Sequence, residues 1–140
     1  MQVLPYLGFE GNAAEAVKLY EQAFEGQLIF TMLYKESDEM AKKYPDYRDK
    51  IFHGEMKIGD GYLYLYDLLP GTAKTTGNSI NIHINFNFTD QLEHAYNVLK
   101  KEGSVKTKIG DTFWGARYGA VIDKFGNCWS LNYQYPKKDK

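Results

Sequence analysis

What most constrains this chain is an order of elements that occurs twice. Val3 to Phe9 is a short apolar run closed by Glu10-Gly11-Asn12, which predicts a strand and a turn. Asn12 and Glu15 have the spacing of a capping box. Ala13, Ala16, Val17, Tyr20 and Phe24 then recur at helical intervals up to Gly26, which is expected to end the helix. Gln27 to Tyr34 is β-type. Lys35 to Lys50 is charged and contains Pro45, so it reads as a surface excursion with a short helical turn, its Met40, Tyr44 and Tyr47 lying over something apolar. Ile51 to Ile58 and Tyr62 to Asp67 flank Gly59-Asp60-Gly61, a hairpin signal.

After a loop rich in Pro, Gly and Thr (68–78), the order returns. Ser79 to Phe88 alternates as a strand. Thr89 or Asp90 is expected to cap a helix running to Lys101 and burying Leu92, Ala95, Tyr96 and Leu99. Val105 to Ile109, Arg117 to Asp123 and Cys128 to Tyr133 complete three more strands, with Trp114 in the loop between the first two. The chain therefore reads βαβββ, loop, βαβββ. The predicted class is α+β: one domain over residues 1–140, made of two modules (1–70 and 78–135) joined by the 68–78 loop. One helix cannot cover both faces of a module's sheet. The modules are therefore expected to pair, within the chain or with a second copy, into a curved mixed sheet with helices outside and a concave face free for a ligand.

Composition narrows the partners. Seventeen Lys and Arg against eighteen Asp and Glu give a net charge of −1, so no basic field favours nucleic acid. Lys137, Lys138 and Lys140 read as a solvated end rather than a binding arm. The stretch from Thr75 to Thr89 lacks charge but is broken by Gly77 and several asparagines, so no membrane span is expected, and the first residues do not read as a signal peptide. One cysteine, Cys128, excludes an internal disulfide and fits a reducing, cytoplasmic setting; without an evident base beside it, it reads as inert packing. The skew is aromatic, with 12 Tyr, 8 Phe and 2 Trp. Tyrosine joins a large ring to a hydroxyl that needs a partner, which suits half-wet surfaces.

Several segments carry a family resemblance that spans essentially the whole chain. They are Leu4-Pro-Tyr-Leu-Gly-Phe-Glu-Gly-Asn-Ala-Ala-Glu-Ala-Val with Tyr20 and Phe24, His53-Gly-Glu-Met-Lys-Ile-Gly-Asp60, Phe113-Trp-Gly-Ala-Arg117 and Asp123-Lys-Phe-Gly-Asn-Cys-Trp-Ser-Leu131. In this order and spacing the chain resembles the vicinal oxygen chelate superfamily (glyoxalase I, bleomycin-resistance proteins, extradiol dioxygenases), and more narrowly its PhnB-like branch. Lys124 stands where that branch usually has proline.

The resemblance implies a place to look for a metal. Metal-dependent members hold a divalent ion with His, Glu or Gln from the first and fourth strands of each module. Here those positions fall near Pro5 (or Leu7), at Tyr64, at His83 and at Ser130; only His83 is a good ligand. No metal and no other cofactor is therefore expected.

Strand alternation defines the expected binding face. Leu63 and Leu65 are expected to face a helix, which turns Tyr62, Tyr64 and Tyr66 into the concavity. Ile80, Ile82, Ile84, Phe86 and Phe88 likewise leave Asn81, His83, Asn85 and Asn87 there, and Trp129, Leu131 and Tyr133 leave Cys128, Ser130 and Asn132. The resemblance adds Trp114 and Arg117 at the cavity edge. Arg117 is read either as a clamp for a carboxylate or phosphate or as a structural partner of Asp123 or Asp111. The expected ligand-binding set is Tyr62, Tyr64, Tyr66, His83, Asn85, Trp114, Arg117 and Ser130; no catalytic residue is assigned. His53 and Glu55 share a strand face with Lys57 and read as having a structural hydrogen-bond role, and His94 reads as solvated.

Three functions fit this pattern. The first is metal-free binding of a small aromatic or anionic molecule. The second is a divalent-metal-dependent lyase, isomerase or dioxygenase using His83. In the third, the tyrosine face serves dimerisation. A homodimer is expected under each.

Overall fold

The computed structural model describes residues 1–137. Lys138 and Lys140 of the expected basic end lie outside the described residues. The chain separates into two compact units, Met1–Thr75 and the residues from Thr76 onward. No helix among the described residues is long and apolar enough to cross a membrane.

The first unit runs β1 (Tyr6–Phe9), α1 (Ala13–Phe24), β2 (Gln27–Leu33), α2 (Asp38–Lys43), β3 (Ile51–Ile58) and β4 (Gly61–Asp67), with two single 3-10 turns flanking α2. Its mixed sheet has the order β1-β4-β3-β2, in which β1 is parallel to β4 and the other pairs are antiparallel. The second unit repeats the plan with β5 (Ile82–Asn85), α3 (Thr89–Lys100), β6 (Ser104–Asp111), β7 (Ala116–Ile122) and β8 (Cys128–Gln134), in the order β5-β8-β7-β6. The α+β class and the repeated βαβββ order are thus as read from the sequence.

In the first unit Phe9, Ala13, Ala16, Val17, Tyr20, Met56, Leu63 and Leu65 form the core between α1 and the sheet. Two of the expected helix signals work differently. Asn12 precedes α1 but its side chain makes no capping bond. The Ala13 amide instead donates to Asp67 Oδ1 at 2.9 Å, a carboxylate delivered from the end of β4. At the other end the left-handed residue is Glu25 (φ 54°) rather than Gly26. Gly26 is there for space: a Cβ on it would sit 3.2 Å from the end of Met56.

The charged excursion is a structured cover, and its aromatic residues do reach apolar neighbours. Tyr34 is buried and donates to the Asp67 carbonyl at 2.9 Å, with the rings of Tyr47 and Phe52 edge-on at 5.0 and 5.3 Å. Burial, reinforced by Tyr47 and the Asp67 carboxylate, pushes the Tyr34 phenol up to about 12, so it remains a neutral donor. Tyr47 in turn donates to the Leu68 carbonyl at 2.9 Å.

In the second unit Leu92, Ala95, Tyr96 and Leu99 of α3 are buried, as their spacing predicts. They pack with Val121, Trp129 and Leu131 of the sheet. Neither Thr89 nor Asp90 is the cap; Phe88 precedes the helix and no side chain caps it. The strand expected over 79–88 is confined to Ile82–Asn85, and Ile80 and Phe88 are exposed rather than packed on a helix. The register with β8 covers those four residues and the Phe86 amide adds one bond to the Asn132 carbonyl at 2.8 Å; Ile80 and Phe88 lie beyond this pairing. The buried carboxylate of the second unit is Asp123, in the turn between β7 and β8. It accepts from the amides of Phe125 and Asn127 (2.9 and 3.0 Å) and from the Trp129 indole at 2.9 Å.

Candidate functional site

The hairpin between β3 and β4 sets the first cluster. Ile58 pairs with Gly61 across the two-residue turn, so Lys57 lies opposite Tyr62 and Glu55 opposite Tyr64. Opposed residues share a face. Leu63, Leu65 and Met56 go to the core under α1, and Tyr62, Tyr64, Tyr66, His53, Glu55 and Lys57 go to the other side. Parallel pairing of Tyr6 with Tyr64 adds β1 to this face.

On β1 the residue on this face beside Tyr64 is therefore Tyr6, not Pro5 or Leu7, where the resemblance places the first-strand metal-ligand position. Leu7 pairs with Leu65 on the core side. Pairing in parallel between residues nearly sixty positions apart leaves no local trace, which is why the register could not be read from the strand alone.

Tyr6 is the hub of this face. Its hydroxyl lies 2.7 Å from His53 Nδ1, and His53 Nε2 lies 2.8 Å from Glu55 Oε2. The Tyr66, His53 and Tyr64 rings stand around the Tyr6 ring at centroid distances of 4.8, 5.4 and 5.8 Å, all edge-on. Phe30, opposite Glu55 on β2, closes the far side 6.0 Å from the imidazole. Edge-to-face packing points ring edges at neighbouring π faces and holds the rings without collapsing them into a solid core. Tyr6 is 52% exposed and Tyr62 37%, whereas Tyr64, Tyr66, His53 and Glu55 are half-buried. Burial, with smaller contributions from Tyr66 and Glu55, raises the Tyr6 phenol above its ordinary value. His53 and Glu55 bond to each other and belong to the tyrosine face.

The second unit carries a related network on its sheet face away from α3. His83 Nδ1 is 2.6 Å from Ser130 Oγ, and His83 Nε2 is 3.0 Å from Asn85 Oδ1, which also accepts from Asn132 Nδ2 at 3.1 Å. His83, Asn85 and Ser130 of the expected set are therefore brought together. Cys128 is buried, with its sulfur 3.5 Å from the Gly77 carbonyl.

Arg117 and Trp114 do not join that network. Arg117 pairs with Tyr133, on the face of β7 that also carries Gly119, and Gly119 packs against the Tyr96 ring of α3. There its guanidinium donates to Glu93 Oε1 from Nε and NH2 (3.0 and 2.7 Å) and to Asp111 Oδ1 at 3.2 Å. Tyr135 donates to the same Asp111 oxygen at 2.7 Å. Of the alternatives weighed, the pairing with Asp111 is the one formed. Glu93 was not anticipated, because only the packing of α3 brings it near. The hydrogen bonds to Glu93 and Asp111 hold the Arg117 guanidinium charged, and those from Tyr135 and Arg117 lower the Asp111 carboxyl. Trp114 is exposed in the β6–β7 turn, edge-on to Phe113 at 4.9 Å.

The donor set fits a metal poorly. The positions that would supply ligands are occupied by Tyr6 and Tyr64 in the first unit and by His83 and Ser130 in the second. A phenol coordinates well only as a phenolate, and Tyr6 is shifted away from that form. Among the described residues no three His, Cys, Asp or Glu side chains gather into a metal-holding group.

Residues 5–131 match the model of the Glyoxalase/Bleomycin resistance protein/Dioxygenase superfamily. The solved structure of protein PA1353 from Pseudomonas aeruginosa is similar at 32% identity with a TM-score of 0.83, covering 96% of this chain and 98% of that one. The PhnB protein from Bacillus cereus shares the fold at 18% identity, with a TM-score of 0.79 over 95% of this chain and 99% of its own. Protein YjdN of Escherichia coli is 23% identical over 94% of this chain and 95% of its own length.

Proposed function

The chain belongs to the Glyoxalase/Bleomycin resistance protein/Dioxygenase superfamily, and on that premise we propose that it binds a small planar aromatic molecule on the tyrosine face of its first sheet, without a metal. The observation that carries this reading is the ring array of Tyr6, Tyr64, Tyr66 and His53 around one hydrogen-bonded chain. Such a face offers π surfaces to a flat ligand and a carboxylate, Glu55, to a hydroxyl or N–H on its rim. Of the two ligand classes first considered, the aromatic one is favoured over the anionic. The charged group hydrogen-bonded into the ring array is the Glu55 carboxylate, and Arg117 is already held by two carboxylates.

Catechol is a suitable probe because it is flat and has two donors. Calorimetric titration is expected to give saturable binding, with benzoate weaker. Tyr64→Ala or Tyr66→Ala should weaken catechol by about tenfold, the equivalent of one lost ring contact of about 1.4 kcal/mol. If a broad set of phenols and heteroaromatics gives no heat, or if both variants bind as the native protein does, the reading is wrong.

The proposal includes a homodimer in a cytoplasmic setting. β2 is the outer strand of its sheet, with Leu28, Ile29 and Phe30 at 39, 49 and 50% exposure, and an apolar bare edge favours pairing with a second copy. Light scattering on a dilute, size-fractionated sample should report twice the chain mass; a clean monomer contradicts this part.

A further inference from the structure

We propose that Tyr6, His53 and Glu55 form a proton relay that acts as a general base toward a planar aromatic substrate seated on the first sheet, an inference that rests on the binding reading above. The direction of the relay follows from the inventory of donors. Glu55, as a carboxylate, only accepts, so His53 Nε2 carries the hydrogen in the 2.8 Å contact. Nδ1 is then the free lone pair of the imidazole, and Tyr6 must donate to it across 2.7 Å. A hydroxyl, an imidazole and a carboxylate thus stand in line, each holding the next in the state proton transfer requires.

The placement suits chemistry better than scaffolding. The structural tyrosines of this unit, Tyr34 and Tyr47, donate to backbone carbonyls, which cannot take a proton. Tyr6 donates to a base that can. Tyr6 is half exposed, on the rim of the face, while the His53 and Glu55 side chains lie deeper at 24 and 27% exposure. Edge-on contact with Tyr64 at 5.1 Å keeps the imidazole from turning. The related Ser130–His83–Asn85 chain ends in an amide, which leaves an imidazolium without a counter-charge. The relay with the carboxylate is therefore the one assigned to proton transfer.

The step balances. A substrate X–H gives its proton to the Tyr6 oxygen while the phenol's own proton passes to His53 Nδ1. The X–H electron pair stays on the substrate, and the imidazolium forms beside Glu55. Tyr6 never becomes a free phenolate, in keeping with the upward push on its phenol. Tyr6 and His53 are the catalytic residues and Glu55 the positioning one.

Nitrobenzisoxazole tests this, because it is a flat aromatic carbon acid. Loss of its ring C–H proton breaks the N–O bond and yields a coloured cyanophenolate, with no other reactant. The native protein is expected to turn it over saturably. Tyr6→Phe keeps the ring and should lower kcat about 100-fold with KM little changed, and Glu55→Gln should do the same. Nitrogen NMR of the His53 ring reads Glu55 separately: the Nε2–H tautomer is expected in the native protein and its fraction should fall in Glu55→Leu, which cannot accept from Nε2. Catechol binding without turnover, unchanged turnover in Tyr6→Phe, or an Nδ1–H tautomer overturns the relay and leaves the binding face standing. Failure of both catechol binding and turnover overturns both.

Discussion

Replacing Asp67 by alanine is expected to lower stability by about 3 to 5 kcal/mol, read as a drop in the urea midpoint at unchanged slope. The side chain is 1% exposed and works with both oxygens. Oδ1 accepts from the Ala13 amide that opens α1, and Oδ2 accepts from the Ile51 amide at the start of β3, at 2.9 and 2.8 Å. Alanine would leave two backbone donors unpaired in a dry interior, and each such donor costs roughly 1 to 3 kcal/mol. Asparagine can accept only one of the two bonds and presents an N–H to the other, so Asp67→Asn should fall between alanine and the native protein. Asn12→Ala is the informative contrast. Asn12 precedes the same helix without a side-chain cap bond, and its loss should cost less than about 0.5 kcal/mol. A loss of under about 1 kcal/mol for Asp67→Ala would mean that water or a rearranged turn satisfies both amides.

The second large effect is expected at Gly103, between α3 and β6. A Cβ there would lie 2.1 Å from the Ile122 carbonyl oxygen, 2.8 Å from that of Leu99 and 3.0 Å from the Asp123 Cα. All three are backbone atoms, so no side chain can rotate away. Relief requires moving either the end of α3 or the end of β7, next to the buried Asp123. Gly103→Ala should therefore cost about 3 kcal/mol or more, at the upper end of overpacking in a native core. Gly110→Ala and Gly77→Ala have nothing within 4 Å of the added carbon and no left-handed backbone, and should be neutral or slightly stabilising. Thermal or urea denaturation of the three variants side by side checks this; equal midpoints would show that the α3–β6 turn yields easily.

The legible parts of this protein were those fixed over short stretches of chain. Helical spacing picked the buried residues of α3, and Gly59-Asp60 fixed the β3–β4 register. That register already placed Glu55 opposite Tyr64, so membership of His53 and Glu55 in the tyrosine face was available from the hairpin alone. The helix caps differ from their local pattern for the opposite reason. Asn12 and Glu15 have the right spacing, but the Asn12 side chain makes no cap bond, and the Ala13 amide is held by a buried carboxylate from β4, a long-range tie that no local pattern reports. Arg117 is similar: its charge and position suited an anion clamp until the packing of α3 brought Glu93 to its guanidinium.

By itself, then, the sequence determined the βαβββ repeat, the α+β class and the alternation that puts Tyr62, Tyr64 and Tyr66 on one face. These depend on backbone periodicity and tight turns, whose energetics act over a few residues. Only the tertiary structure decided that Tyr6 joins that face, that its hydroxyl meets His53, and that Asp67 ties α1 to β3 and β4. Each depends on parallel or long-range pairing, where a shift of one residue sends every side chain to the other side of the sheet.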